Sequence, residues 1–328
     1  MTLNNKAIKI LSFIVKLAIV ICALWFLYAE IFKNEDLDKI RSYYSRLSYS
    51  QFTSLGLLLS LLLMPINWFL ETKKWQYLVS KIENVSTTNA IKAILSGITI
   101  SAIMPNRTGE FLGRIAYIER ADRIKAALIT IIGSLSQLTI TIFWGGLALI
   151  TLLLQNRFEV YPIMQFSLCI ILFCIIAITP IFYFNSSLIF TLTKNIKMLN
   201  RFTKYSDVFK TYSYKELRTT IYFSLGRYFI FTTQFIILLH TFNVDISVTD
   251  SIIAIGAAFF VIATIPTPAL IEIGIREATS LLFIGLFSAN QIGIISATFT
   301  LWFINIAIPS LLGIGFIFQA KFVKSNRK

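Results

Sequence analysis

Charge is what this chain has least of. Only 14% of its 328 residues are Asp, Glu, Lys or Arg, where a soluble domain carries about a quarter. No region is both long and polar enough to form a soluble catalytic domain. There is one histidine, His240, and there are three cysteines, Cys22, Cys169 and Cys174, all inside apolar stretches. A lone histidine excludes histidine-based metal clusters, and the cysteines lack metal-ligand spacing, so they read as small hydrophobes. Also missing are His-Glu-x-x-His, Gly-x-Ser-x-Gly and the P-loop. These absences argue against an enzyme of the common hydrolase or nucleotide-driven kinds, and no cofactor or metal is expected.

Acidic residues are scarce even against this background: sixteen Asp+Glu face thirty Lys+Arg, a formal net charge of +14. In a soluble protein that balance would suggest nucleic acid. Here the basic residues sit in loops between apolar runs, as inward-facing membrane loops do, so no nucleic-acid partner is expected. What the chain has in abundance is apolar sequence, 56% hydrophobic with mean hydropathy +0.74. The expected fold class is an all-α polytopic membrane protein.

A helical span needs about 20 mainly apolar residues. Six segments qualify: 10–30, 52–71, 126–153, 163–184, 219–240 and 291–319. The first follows Lys6, Lys9 and Lys16 as a signal peptide would, but no small-residue cleavage site precedes Trp25, Phe26 and Tyr28, so it reads as a retained span. The last contains Pro309, where a kink is expected. Two further pairs, 91–104 with 110–124 and 251–265 with 272–287, are too short to be ordinary spans. Charge decides how they run. A full crossing by 91–104 would put the densest basic cluster, residues 185–218, outside, against the Lys/Arg bias of inner loops. If both pairs are re-entrant, the 185–218 loop and both termini are cytoplasmic. The 241–250 loop, with Asp245 and Asp250, is then outside. The 33–51 loop dissents, with four basic residues on the outer side. Cysteines placed at Ser247 and Asn200 should label from outside and inside respectively. The whole chain, 1–328, then forms one integral membrane domain in which 52–153 and 219–319 are candidate inverted repeats. Alternating access is commonly built on that architecture.

Two motifs break the apolar background: Pro105-Asn-Arg107-Thr-Gly109-Glu110-Phe-Leu-Gly-Arg114 and Pro266-Thr-Pro268-Ala-Leu-Ile-Glu272-Ile-Gly274-Ile-Arg276-Glu277. In each, an apolar run stops at Pro, a Glu follows five or six residues on, and an Arg lies four beyond the Glu. That spacing puts Glu and Arg on one helical face, where they can pair. Intramembrane charges cost about 2.5–3.5 kcal/mol each on insertion scales and so mark protein-lined interiors or pathways. A helix starting near Glu110 aims free N–H groups and a positive dipole end at mid-membrane, suiting a phosphate or carboxylate. Arg107 and Arg114 would add guanidinium forks. The same pairs serve equally well as internal ion pairs that fix helix ends. The candidate substrate-binding set is Arg107, Glu110, Arg114, Glu272, Arg276 and Glu277. Arg227 joins it, since it lies eight residues into a span and needs a carboxylate or a cavity, with Glu272 and Glu277 the candidate carboxylates. Pro105, Gly109, Pro266, Pro268 and Gly274 are candidate structural breakers.

The remaining polar groups carry less. Glu71 with Lys74 reads as the inner end of its span. Asn67, Gln137, Gln234 and Asn305 suit hydrogen bonds between helices. Arg120, Arg123, Lys125 and the basic, aromatic-interleaved 194–218 stretch read as anchors to anionic lipid, the latter as an interfacial amphipathic segment.

Taken in order, Met104-Pro-Asn-Arg-Thr-Gly-Glu-Phe-Leu-Gly-Arg114, a long span, and then Ile265-Pro-Thr-Pro with Gly274-Ile-Arg-Glu277, the chain resembles the lysylphosphatidylglycerol synthase transmembrane-region family. The resemblance covers roughly residues 10–320. Pro105, Arg107, Gly109, Glu110 and Arg114 fall where that family's pattern has them. In the second motif Ala269, Leu270 and Glu272 replace the family's Gly-rich turn. The resemblance implies a flippase-type protein of the cytoplasmic membrane that moves a phospholipid or lipid-linked anionic molecule between leaflets. With Lys328 the last residue, it also implies a stand-alone member without the soluble aminoacyltransferase domain. Two other readings stand beside this one, a non-catalytic membrane scaffold for a separate transferase and a membrane enzyme acting on a lipid substrate. A partner transferase and homo-oligomerisation are left open.

Overall fold

The structure is a computed structural model; it describes residues 13–18, 21, 22, 24, 25, 28, 51–104, 108–185, 207–265 and 272–320. Among these the secondary structure is helical, without strands. The helices are α1 (Gln51–Val79), α2 (Thr87–Ser101), α3 (Gly109–Ile115), α4 (Arg123–Leu154) and α5 (Pro162–Phe184). After a single turn at Asp207–Lys210 come α6 (Tyr214–Thr241), α7 (Val248–Thr264), α8 (Glu272–Ile284), α9 (Gln291–Trp302) and α10 (Ile308–Ile317), the last two joined by a π turn, Phe303–Ala307. Five stretches are long and apolar enough to cross a membrane: Ser54–Val79, Arg123–Leu154, Pro162–Phe184, Tyr214–Thr241 and Gln291–Ile317. The expected first span, 10–30, is described only in part. Those of its residues that are described are helical.

Helix starts follow from short polar residues that accept the free N–H groups of the first turn. Asp122 caps Ile124 at 2.8 Å, Ser247 caps Asp250 at 3.1 Å and Asn290 caps Gly293 at 2.9 Å. Ser213 and Glu216 form a reciprocal capping box at the start of α6.

Helices α1 and α6 run antiparallel along each other. Gly56 abuts Thr241 at one end, and Lys81 pairs with Glu216 at 2.6 Å at the other. The α2–α3 pair leaves and returns at the Lys81 end, because the Glu83 carboxylate before it accepts the N–H groups of Glu119, Arg120 and Ala121 after it, at 3.1, 2.9 and 2.8 Å. The α7–α8 pair leaves and returns at the opposite end. There Asn290 donates to the carbonyls of Phe242 and Asn243 at 3.2 and 3.0 Å. Both pairs are therefore hairpins, opening toward opposite ends of the molecule. Arg157 over the Phe287 ring, 4.5 Å to its centroid, places the α4–α5 loop at the Asn290 end. Tyr183 donating to the Leu217 carbonyl at 3.1 Å brings α5 back to the Lys81 end. Lys92 bonding Gln319 at 2.8 Å puts the end of α10 there too. Lys81, Arg120, Arg123, Lys125, Lys210, Lys215 and Arg218 thus gather at one end, and Asp245 and Asp250 lie at the other. The described loops sort into the two groups expected from the Lys/Arg bias.

The halves interlock. The first helix of each hairpin packs on the last span of the other half, α7 on α4 and α2 on α10. Small residues allow the close approach. Gly145 abuts the Gly256 carbonyl and Phe260, and Gly313 abuts the Leu95 carbonyl. Within the first hairpin, Gly113 touches the Gly97 backbone so closely that any Cβ would collide with it.

The structure differs from expectation in four places. Helix α1 runs eight residues past the expected span end at 71, because Trp75, Leu78 and Val79 continue its buried face. The irregularity near Pro309 is the preceding π turn. Proline has no N–H to give the Asn305 carbonyl, and that carbonyl accepts the Trp68 indole instead, at 3.2 Å. Gly274, expected as a breaker, continues α8 as its third residue, with open space where a Cβ would stand. The end of the expected interfacial stretch packs into the protein: Val208, Phe209 and Tyr212 are buried against Leu78, Ile129 and Tyr183. The rest of that stretch, through residue 206, lies outside the described residues, as do Pro105, Arg107, Pro266 and Pro268.

Candidate functional site

One face of α1 carries Asn67, Trp68, Glu71, Lys74, Trp75 and Leu78, at the three- and four-residue steps that align on a helix, and all six are buried. At its centre Glu71 is 3% exposed. Its Oε1 accepts from Arg114 Nη2 of α3 at 2.8 Å. Its Oε2 meets Lys74 Nζ at 2.8 Å and also Arg227 Nη1 of α6. Three cations from three helices therefore converge on one carboxylate. Arg114 Nη2 also reaches Glu110 Oε2 at 2.8 Å, the expected one-turn pair.

Further groups hold these charges in place. Arg227 Nε donates to Asn67 Oδ1 at 2.8 Å, and its guanidinium lies 5.2 Å from the Trp68 ring centroid. Lys74 Nζ donates to the Gly133 carbonyl at 3.1 Å and to Ser224 Oγ at 3.3 Å. Taking such ions out of water costs several kcal/mol each, so the cluster exists only because each cation finds a carboxylate and fixed dipoles. The second motif pairs in the same way as the first, with Arg276 Nη2 and Nε donating to Glu272 Oε1 at 2.6 and 3.1 Å.

Both motifs open on one cavity of about 510 Å³. Its charged lining is Glu71, Lys74, Glu110, Arg227, Glu272 and Arg276. Phe111, Leu138, Phe231, Phe259, Ile262 and Ile265 supply apolar surface. The cavity therefore has the mixed character of a site for an amphiphile, with fixed ions for a polar group and ring faces for hydrocarbon.

The structure thus brings together Glu110, Arg227, Glu272 and Arg276, with Arg114 immediately behind Glu71 and Glu110. Glu277 is buried on α8 but does not line the cavity. Arg227 meets Glu71, a partner the sequence did not suggest. Glu71 itself was taken for the end of a span. The signal that marks it is the run of buried positions from Asn67 to Val79, which keeps helical spacing past the charges instead of stopping at them.

A chain of antiparallel spans, two hairpins reaching inward from opposite ends, and a buried charge cluster facing a cavity define a multi-pass membrane protein with an internal polar site. Residues 13–313 match the lysylphosphatidylglycerol synthase TM region, and the chain belongs to that family. A comparison with curated proteins finds no match.

Proposed function

We propose that this protein is a flippase-like transporter that carries a phospholipid or lipid-linked anionic molecule across the cytoplasmic membrane. The basic end, with both termini, faces the cytoplasm, and segments 52–153 and 219–319 act as inverted repeats around the cavity. The observation that carries this reading is the convergence of both hairpins on one cavity, where Lys74, Arg227 and Arg276 line the wall beside Glu71, Glu110 and Glu272, with Arg114 directly behind. A headgroup crossing bare hydrocarbon loses its hydration without replacement. Fixed guanidinium and ammonium groups replace it along the path, while the tails stay in lipid. The cavity volume falls within the ~300–1,000 Å³ typical of small-ligand sites, a headgroup's scale. Family membership supports a protein acting on lipids.

The test is lipid translocation in proteoliposomes, with zwitterionic, anionic, aminoacylated and polyprenyl-phosphate lipids offered in parallel. Wild type should move an anionic or lipid-linked phosphate class selectively, and Glu110→Gln and Arg114→Ala should abolish that movement at matched reconstitution. Folded wild-type protein that moves none of them would overturn the reading.

A further inference from the structure

The charge cluster has more positive than negative partners. Lys74, Arg114 and Arg227 surround Glu71, and Glu110 adds a second carboxylate at Arg114. Among these five side chains one positive charge is in excess. Two buried donors at the cluster, Arg114 Nε and Asn67 Nδ2, also have no acceptor among the described residues. Buried donors normally find one.

Glu71 also sits where a ligand anion would be expected. Its two oxygens take the guanidinium of Arg114 from one side, and that of Arg227 and the Lys74 ammonium from the other. This is how arginine forks and a lysine hold a phosphate's oxygens. Glu71, Lys74 and Arg227 line the cavity wall, so an anion in the cavity approaches two of the donors that Glu71 already holds, with Arg114 behind Glu71.

We propose that Glu71 is an internal counter-ion standing in the place of a ligand phosphodiester, and that the ligand binds by exchanging with it at Arg114, Arg227 and Lys74. The proposal rests on the transport reading for its biological meaning but not for its test. A phosphodiester carries one negative charge, as the Glu71 carboxylate does, so the exchange leaves the charge around Arg114, Arg227 and Lys74 unchanged. When it docks, the released Glu71 carboxylate remains beside it as a built-in competitor. When the ligand leaves, Glu71 closes the arginines again, so the site is never left as three unpaired cations. Tight binding is thereby given up for release, which a carrier requires and an enzyme that retains its lipid does not.

The experiment is equilibrium binding to the purified full-length protein in detergent, with dihexanoylphosphatidylglycerol, dimethyl phosphate and dihexanoylphosphatidylcholine as probes. Glu71→Gln keeps the shape and removes the competing charge. It should bind the anionic lipid about tenfold more tightly than wild type while its translocation rate falls. Glu71→Asp, which keeps the charge but retracts it by one methylene, should fall between the two. The double variant Glu71→Gln with Arg227→Gln should lose the gain. A gain for the lipid but not for dimethyl phosphate assigns the site to a lipid headgroup, and an equal gain for both assigns it to phosphodiesters generally. Unchanged or weaker binding of the anionic lipid by folded Glu71→Gln, or by Glu71→Asp if the first does not fold, overturns the proposal. A tenfold gain in a protein that translocates no lipid would keep the anion site and sink the flippase reading. Translocation without any gain would do the reverse.

Discussion

Removing the guanidinium of Arg114 would leave buried Glu71 and half-buried Glu110 without the cation they share. Breaking a buried ion pair from one side costs about 3–5 kcal/mol, most of it the price of stranding the other charge. Arg114→Ala should therefore lower the thermal midpoint in detergent well beyond what Arg276→Ala does. The Glu272–Arg276 pair is more open, with side chains 14% and 21% exposed, and pairs that see solvent contribute less. Equal effects of the two substitutions would contradict the central role given to Glu71. The motif residues were legible as charges that needed partners, and the Glu110–Arg114 and Glu272–Arg276 pairs follow from helical spacing alone. The partner of Arg227 was not legible, because Glu71 lies 156 positions away in the chain and only the packing of α1 on α6 brings them together.

At the scale of elements, the first hairpin depends on one carboxylate outside the spans. Burial pushes the Glu83 carboxyl up. The backbone N–H groups of Ala121, Arg120 and Glu119, with the Arg120 charge, outweigh that and hold it below its ordinary value. A folded-state pKa below the unfolded one contributes stability that is present above the unfolded value and lost as pH falls through the folded one. Amide exchange at Glu119–Ala121 should therefore stay slow at neutral pH and accelerate, beyond the intrinsic rate change, as the carboxylate range is crossed on acidification. In Glu83→Gln the protection should already be reduced at neutral pH, and its pH dependence should flatten. Unchanged protection in that variant would show that the loop is held by something else. The hairpins themselves were legible as apolar runs too short to cross. Their limits shifted, to 87–115 and 248–284, since caps such as Ser86 and Ser247 set the starts more sharply than hydropathy does.

At the scale of the molecule, the antiparallel α1–α6 pair separates two ends with different charge. With Cys22, Cys169 and Cys174 replaced by serine, single cysteines at exposed Ser80 and Asp245 should react with an impermeant thiol reagent from opposite sides of the membrane. Reaction of both from one side would contradict the arrangement of the hairpins. Composition and run length by themselves determined that the chain is a helical membrane protein. The Lys/Arg bias determined which loops share an end, and the two Pro- and Gly-broken motifs marked where charge enters the interior. These properties are local or additive along the chain, so a single sequence carries them. Only the tertiary structure decided that both motifs open on one cavity and that Glu71, which reads from the sequence as the inner end of a span, is its electrostatic centre. A buried charge is tolerated only where several distant helices place opposite charges within about 3 Å of it, and that condition belongs to the packing of α1, α3 and α6, which no window of sequence contains.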